Sequence, residues 1–193
     1  ILESLSRGFG DGIAIKPGYS DVCFDAVRLV HPNPEIVASL MRAIKKGEPL
    51  KAQYQSISSG LTHRVIIPHS IVNNGHRWHV RAFDRLSGSF RDFVCTRFDS
   101  LEKDITEVSD PELRGADTDW NVSLSLVLIP HPQLQHQKPI EMDYGMTGGK
   151  LTLEIRAALA GYLLRQWAVD CSKSLSGGLA CQLALENNED FEN

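Results

Sequence analysis

The sequence predicts an α+β protein in two parts: a small antiparallel β-barrel or curled sheet with one capping helix, then a small α+β domain. Four extended segments separated by Gly, Asn and Ser turns lie between residues 51 and 98. Apolar residues recur at helical spacing just before them. Strand-like runs flank one helical run near the C-terminus. The predicted parts are a connector (1–33), the barrel (34–110), a linker (111–119) and a C-terminal domain (120–193).

Composition limits the class of protein. The chain has 193 residues, a net charge of −4 and 42% hydrophobic residues, which is ordinary for a globular protein and excludes non-specific binding to nucleic acid by charge alone. It has no apolar run of the roughly 20 residues that a membrane span needs, and no secretory signal. We therefore expect a cytoplasmic protein. Its four cysteines form no CxxC pair and are predicted to be buried, reduced thiols: Cys23, Cys95, Cys171 and Cys181.

The N-terminal segment gives little structural signal. Closely spaced Gly and Pro residues make a helix unfavourable before residue 20. Val22 to Val30 fits either a short strand or a helical turn. The first residue is Ile1 rather than Met, which indicates a processed product or a fragment without its natural N-terminus.

The capping helix is predicted over residues 34–46. Asn33 is a suitable N-cap, Pro34 fits the first turn, and Glu35 favours the positive end of the helix dipole. Gly47 is a typical stop signal.

Strict alternation marks the barrel strands. In the third extended segment Trp78, Val80 and Ala82 share one face, and we expect them in the core; His79, Arg81 and Phe83 share the other. Asn74-Gly75 is a strong hairpin signal. The fourth strand is predicted to run from Phe90 to Phe98, and Ser100 to Asp110 to be acidic and then loop-like.

The C-terminal domain is predicted from shorter runs. Trp120 to Pro130 alternates as a strand, while Pro132 to Pro139 fits either a short helix or a loop. The remaining predictions are strands over Ile140–Met146, 151–155 and Ala180–Leu185, a helix over Ala157–Val169, and a frayed acidic tail over Asn187–Asn193.

Six residues of the barrel region form the candidate site. Two guanidiniums, an imidazole, hydroxyls and aromatic rings suit an anionic ligand that carries a base, because Arg binds phosphate bidentately and rings stack on bases. Judged by residue chemistry alone, these six residues are better explained as exposed strand positions that bind no ligand. His69 shares parity with apolar Val65 and Ile67, so Pro68 must bend the strand to re-aim it. The candidates are Tyr54, Ser56, His69, Arg81, Phe83 and Arg91.

Catalytic and metal motifs are missing from the sequence. It contains no GxSxG, no phosphate-binding Gly loop and no HExxH motif. The histidine spacings match no zinc pattern. We therefore predict neither an enzyme nor a cofactor. Arg97 is left with two interpretations, since it could pair with an acidic neighbour or line the candidate site.

The barrel segments carry a family resemblance. The segments Arg64–His69, Arg77–Asp84, Phe90–Phe93 and Arg97–Phe98 together resemble the WYL domain of bacterial transcription regulators. The eponymous Trp-Tyr-Leu falls on Trp78-His79-Val80. The likeness is nearest to WYL repressors associated with phage-defence loci. Residues 120–193 resemble the C-terminal extension that often follows WYL domains.

The resemblance implies both a fold and a function. It implies an Sm/SH3-like barrel that binds a nucleotide or nucleic-acid-derived effector, with contacts on the Ser, His and Arg positions of the candidate set. It also implies a homodimer and an N-terminal winged helix-turn-helix domain, not found in this sequence, that binds operator DNA. Two alternatives are a stand-alone Sm-like module for single-stranded nucleic acid and a purely structural dimerisation domain.

Overall fold

The computed structural model describes residues 31–175, 177 and 180–187. The predicted connector, the possible strand over Val22–Val30, Cys23 and all but the first residue of the predicted tail lie outside the described residues. The chain divides into two compact units between Leu113 and Arg114. We call them unit 1 and unit 2, and describe each by itself.

The first described element of unit 1 is the predicted helix. Helix α1 spans Pro34–Lys46. The side chain of Asn33 accepts a hydrogen bond from the backbone N–H of Glu35 at 2.8 Å, and Gly47 ends the helix with φ 66°. The prediction is confirmed at both ends of the helix. It could be made from sequence because the capping residues act on backbone groups next to them. The helix packs on the β-sheet of unit 1 through Ile36, Leu40 and Ala43.

A five-stranded antiparallel sheet follows the helix in unit 1. Its strands lie in the order β4-β3-β2-β1-β5. Strand β2 pairs with β1 along its first half and with β3 along its second half. The strands are β1 Leu50–Ser56, β2 Gly60–Asn73, β3 Trp78–Asp84, β4 Ser89–Val94 and β5 Phe98–Lys103.

Three predictions for unit 1 are corrected. A 3₁₀ turn at Cys95–Arg97 ends the predicted fourth strand, and β5 then pairs with β1 where an acidic and then loop-like segment was expected. The sequence of β5 is polar because only Phe98 and Leu101 face the core cluster. The sheet of the described residues is not a closed barrel, since β4 and β5 are its two edges. The similarity of this sheet to Sm and SH3 folds stays a prediction.

The core of unit 1 lies between α1 and one face of the sheet. Val80 and Ala82 are fully buried there, as predicted, and Trp78 packs against the same cluster but is only half-buried. Cys95 is also buried, and burial raises the pKa of its thiol to about 12. Cys171 is exposed and Cys181 is half-buried, so the expectation of buried thiols fails for these two residues of unit 2.

Unit 2 contains a four-stranded sheet in the order β7-β6-β9-β8. Strand β6 pairs antiparallel with both β7 and β9. Strand β8 pairs parallel with β9. The residues 140–146, predicted to be a strand, instead begin in a helix, because Pro139 sits in its first turn and Ile140 and Tyr144 are one turn apart. The elements are α2 Thr118–Asn121, β6 Ser123–Pro130, α3 Lys138–Asp143, β7 Leu151–Arg156, α4 Ala157–Gln166, β8 Val169–Asp170 and β9 Leu183–Leu185.

No helix of the described residues is long and apolar enough to cross a membrane.

Candidate functional site

Strands β3 and β4 present an array of side chains on the sheet face opposite the core. Arg81 pairs with Asp92 in register, and Phe83 pairs with Phe90. Directly paired residues of antiparallel strands point to the same face, so these four side chains lie together. The two Phe rings pack edge to face with centroids 5.2 Å apart. We call this set, with His69, the outer face.

His69 joins the outer face through a β-bulge. The ladder between β2 and β3 shifts by one residue between Pro68 and Ser70, which re-aims His69 as the parity argument required. Its ring lies 5.7 Å from the ring of Phe90. Its Nδ1 lies 3.0 Å from the hydroxyl oxygen of Ser70. An imidazole and two phenyl rings therefore border the Arg81–Asp92 pair.

The Arg81–Asp92 pair is largely withdrawn from water. One guanidinium nitrogen of Arg81 lies 3.4 Å from Oδ2 of Asp92, and the two side chains are 7% and 18% exposed. The other oxygen, Oδ1 of Asp92, is buried and accepts no hydrogen bond among the described residues. His79 is also buried nearby. Burial lowers the pKa of His79, and the negative charge of Asp92 opposes that effect.

Tyr54 belongs to the core rather than to the outer face. It is 6% exposed and packs edge to face on Phe93 and Phe98. Its hydroxyl oxygen accepts a hydrogen bond from the backbone N–H of Val94 at 3.1 Å. The ring thus fixes the end of β4 from inside unit 1.

The last two predicted residues lie apart from the outer face. Arg91 pairs in register with Ala82, on the face that carries the core, and its side chain is exposed at the sheet edge. Ser56 ends β1, where its hydroxyl lies 3.1 Å from that of Ser58. The structure thus brings His69, Arg81 and Phe83 together and places Tyr54, Ser56 and Arg91 elsewhere.

Phe90 and Asp92 were not in the predicted set. Both share the parity of the outer face in β4, and the turn over 85–88 fixes their register against β3. The alternation of β4 was therefore a usable signal. The pairing of Arg81 with Asp92 follows only from the register between the two strands.

Two other Arg–carboxylate pairs in unit 1 join segments that are far apart in sequence. Arg64 pairs with the fully buried Asp84, whose Oδ1 also accepts from the backbone N–H of Leu86 in the β3–β4 turn. Arg85 binds both carboxylate oxygens of Glu112 and also the carbonyl oxygen of Glu107. This arrangement lowers the pKa of Glu112 to about 2, the hydrogen bond from Arg85 being the largest cause.

A buried polar pair lies in the described part of unit 2. His131 is fully buried, and its Nε2 lies 3.1 Å from Oδ2 of Asp170. The carboxylate of Asp170 also accepts from the backbone N–H groups of Ser172 and Gly177, so the pair ties the loop after β8 to the end of β6. No group of three or more His, Cys, Asp or Glu side chains among the described residues could hold a metal ion.

Two family matches cover most of the chain. Residues 35–103 match the WYL domain. Residues 123–191 match the C-terminal dimerization domain of the BrxR transcriptional regulator. The first range covers α1 and the five strands of unit 1, and the second covers the sheet of unit 2.

Three similar proteins are described as the DNA-binding transcriptional repressor CapW. The Escherichia coli protein is 36% identical over 160 residues, which are 81% of this chain and 52% of that protein. The Pseudomonas aeruginosa protein is 35% identical over 83% of this chain and 54% of its own length. The Stenotrophomonas maltophilia protein is 35% identical over 99% and 64%. This chain thus spans about half to two thirds of the length of the curated relatives it matches.

Among solved structures, proteasome accessory factor B/C of Arthrobacter aurescens is similar with a TM-score of 0.40 and 22% identity, over 86% of this chain and 26% of that chain.

Proposed function

Because this chain contains a WYL domain and a BrxR-type C-terminal dimerization domain and is homologous to CapW repressors, we propose that it is the effector-sensing and dimerising region of a bacterial transcriptional repressor. Its effector is a nucleotide or a nucleic-acid-derived anion. Operator DNA is bound by a separate winged helix-turn-helix domain. Effector binding shifts the population between two arrangements of the dimer, and so changes the spacing of its DNA-binding heads.

The outer face is the observation that carries this proposal. It places a guanidinium beside two aromatic rings and an imidazole. A guanidinium recognises phosphate through charge-assisted hydrogen bonds, and aromatic faces stack on bases at about 1–3 kcal/mol per base. A ligand that carries both a phosphate and a base would contact the guanidinium and the aromatic rings together. This combination favours a nucleotide over a simple anion.

Calorimetric titration tests the site. Short single-stranded oligonucleotides and cyclic nucleotides are titrated against wild type and Arg81→Gln. We expect Arg81→Gln to lose charge-assisted hydrogen bonds of about 1.5–3 kcal/mol each, which is roughly a ten- to hundredfold loss of affinity. Arg42→Gln is the matched control, since Arg42 is exposed on α1 and contacts Ser39. Equal binding by wild type and Arg81→Gln would refute the site.

Arg91→Gln separates the two faces of the sheet. Arg91 was predicted to bind the effector, but its register places it on the face of Ala82. If Arg91 contacts the effector from the edge of β4, Arg91→Gln loses affinity as Arg81→Gln does. Binding unchanged by Arg91→Gln would confine the site to the outer face.

Unit 2 supplies the dimer contact in this proposal. The match to a dimerization domain supports it, as do the apolar side chains of unit 2 that its own fold only half-buries. Tyr162 and Trp167, two half-buried side chains of its helical segment, are candidates for the contact. Light scattering should give twice the chain mass of 21.4 kDa at micromolar concentration. A monomer throughout that range would contradict dimerisation through this chain.

A further inference from the structure

Two Arg–carboxylate pairs of the β3–β4 hairpin, one in the turn and one in the middle of β3, differ in the geometry of their contacts. Arg85, in the turn, uses Nε and Nη2 to bind both oxygens of Glu112, the second at 2.9 Å. In the pair of Arg81 with Asp92, in the middle of β3, the guanidinium nitrogen lies 3.4 Å from Oδ2 of Asp92. Charge-assisted N–H···O bonds are normally about 2.7–2.9 Å long. The Arg81 contact is therefore long, although the Arg81 side chain is more deeply buried than that of Arg85.

Asp92 is poorly satisfied in this position. Its Oδ1 is buried and has no hydrogen-bond partner among the described residues. An ionised oxygen withdrawn from water without a donor is unfavourable. The side chain is nevertheless 18% exposed, so a change of rotamer can carry the carboxylate into solvent, where both oxygens are hydrated.

We propose that Asp92 is an internal competitor for the effector: its carboxylate occupies Arg81 until an anionic group displaces it. This inference rests on the proposed function of the outer face. The exchange is favourable because the carboxylate that leaves gains hydration and the ligand that enters can use Arg81 in the bidentate geometry that Asp92 does not reach. Asp92 thereby sets an affinity threshold that weak, singly charged anions do not pass.

The competitor also narrows the class of effector. A displacing group must bind the guanidinium better than a carboxylate does. A phosphomonoester has a charge of about −1.5 to −2 at pH 7 and three strong acceptor oxygens. The ring next to it would lie against Phe83 and Phe90, which neighbour the pair on the same face. We therefore infer an effector with a terminal phosphate adjacent to a base or another flat ring.

The test compares wild type with Asp92→Asn in calorimetric titrations at constant ionic strength. The probes are inorganic phosphate and thymidine 5′-monophosphate. Asp92→Asn removes the competing charge at nearly constant volume, so we expect it to bind both probes at least tenfold more tightly than wild type. Asp99→Asn is the matched control: Asp99 is an exposed residue on β5 that accepts a hydrogen bond from Gln55, and its neutralisation should leave affinity unchanged.

Four outcomes would overturn the inference. Equal affinity of wild type and Asp92→Asn would show that Asp92 does not compete; if Arg81→Gln still lost binding, the effector site itself would stand. Weaker binding by Asp92→Asn would make Asp92 a direct ligand contact. A gain of equal size in Asp99→Asn would reduce the effect to net charge. Binding of neither probe by a folded Asp92→Asn would show that Arg81 is not made available. Thermal melts establish folding, and Asp92→Ser replaces Asp92→Asn if the latter unfolds.

Discussion

The two units enclose their apolar side chains to different extents. In unit 1, twelve members of the core cluster are buried and four are half-buried. In unit 2, six are buried and eleven are half-buried, among the residues that the structure describes. Unit 1 therefore completes its own core, whereas unit 2 leaves much of its apolar surface partly open to water. Apolar surface of this kind is typical of obligate interfaces between subunits, which agrees with the match of unit 2 to a dimerization domain.

Buried charge shows the opposite distribution. Unit 1 carries three Arg–carboxylate pairs on or beside the β3–β4 hairpin, whereas unit 2 carries the His131–Asp170 pair. Buried ion pairs are weak evidence for stability, because desolvation offsets most of their attraction. Unit 1 thus concentrates paired charges, whereas unit 2 concentrates apolar side chains that its own fold only half-buries.

The largest expected effect compares the two cores directly. Ile66 of unit 1 is fully buried, so Ile66→Ala should lower the free energy of unfolding of unit 1 by about 2–5 kcal/mol. Leu151 of unit 2 is half-buried, and Leu151→Ala should cost less than half as much, because less transfer free energy and a smaller cavity are involved. Hydrogen exchange resolved by peptide measures both. Equal losses would contradict the comparison.

Acid should weaken unit 1 through Glu112. The pKa of Glu112 is about 2 in the folded chain against an ordinary 4.5, so its contribution to stability is present above pH 4.5 and is lost as the pH falls towards 2. The full contribution is about 3 kcal/mol. Glu112→Gln should flatten the pH dependence of unit 1 between pH 5 and pH 2.

Glu102→Gln is the control for that experiment, since Glu102 is an exposed residue of β5 and its neutralisation should leave the slope in place. A Glu112→Gln variant with the acid sensitivity of wild type would show that another carboxylate dominates.

Dilution should distinguish the units without any mutation. If a second copy stabilises unit 2, unfolding of unit 2 is linked to dissociation of the dimer. Its apparent free energy of unfolding, per mole of dimer, then falls by about 1.4 kcal/mol for each tenfold dilution. Unit 1 should not respond, because its core is closed. Hydrogen exchange between 1 and 100 µM checks this, and equal responses in the two units would show that the dimer contact is not confined to unit 2.

The smallest expected effect is local to α1. Asn33→Ala removes the cap on the N–H of Glu35 and should destabilise unit 1 by about 1 kcal/mol. Asn33→Asp keeps the acceptor and serves as the control. The exchange of unit 2 should be unchanged in both variants, and a change there would mean that the units do not behave independently.

Elements with local signals were predictable from the sequence. Helix α1 was correct because Asn33 and Gly47 act on adjacent backbone groups. Strand β5 was not, because its polar sequence is explained only by its position at a sheet edge. The prediction of a strand over 140–146 was wrong, because a short apolar run fits both the helical and the strand period. Pro139 lies in the first turn of the helix that forms there.

The candidate site was predictable only in part for a similar reason. Parity placed Arg81 and Phe83 on one face, and the structure has them there. Tyr54 was assigned to the same site although its parity belongs to the core. The pairing of Arg81 with Asp92 depends on strand register, which is fixed by pairing between strands and not by either strand alone.

The bulge in β2 has an evolutionary consequence. His69 is the one extra residue between Pro68, which pairs with Ala82, and Ser70, which pairs with Arg81. If its codon were deleted in frame, the ladder would run without interruption and the flanking residues would keep their partners. A lineage can therefore acquire or discard this histidine by a single three-nucleotide insertion or deletion, with the register of the surrounding sheet conserved.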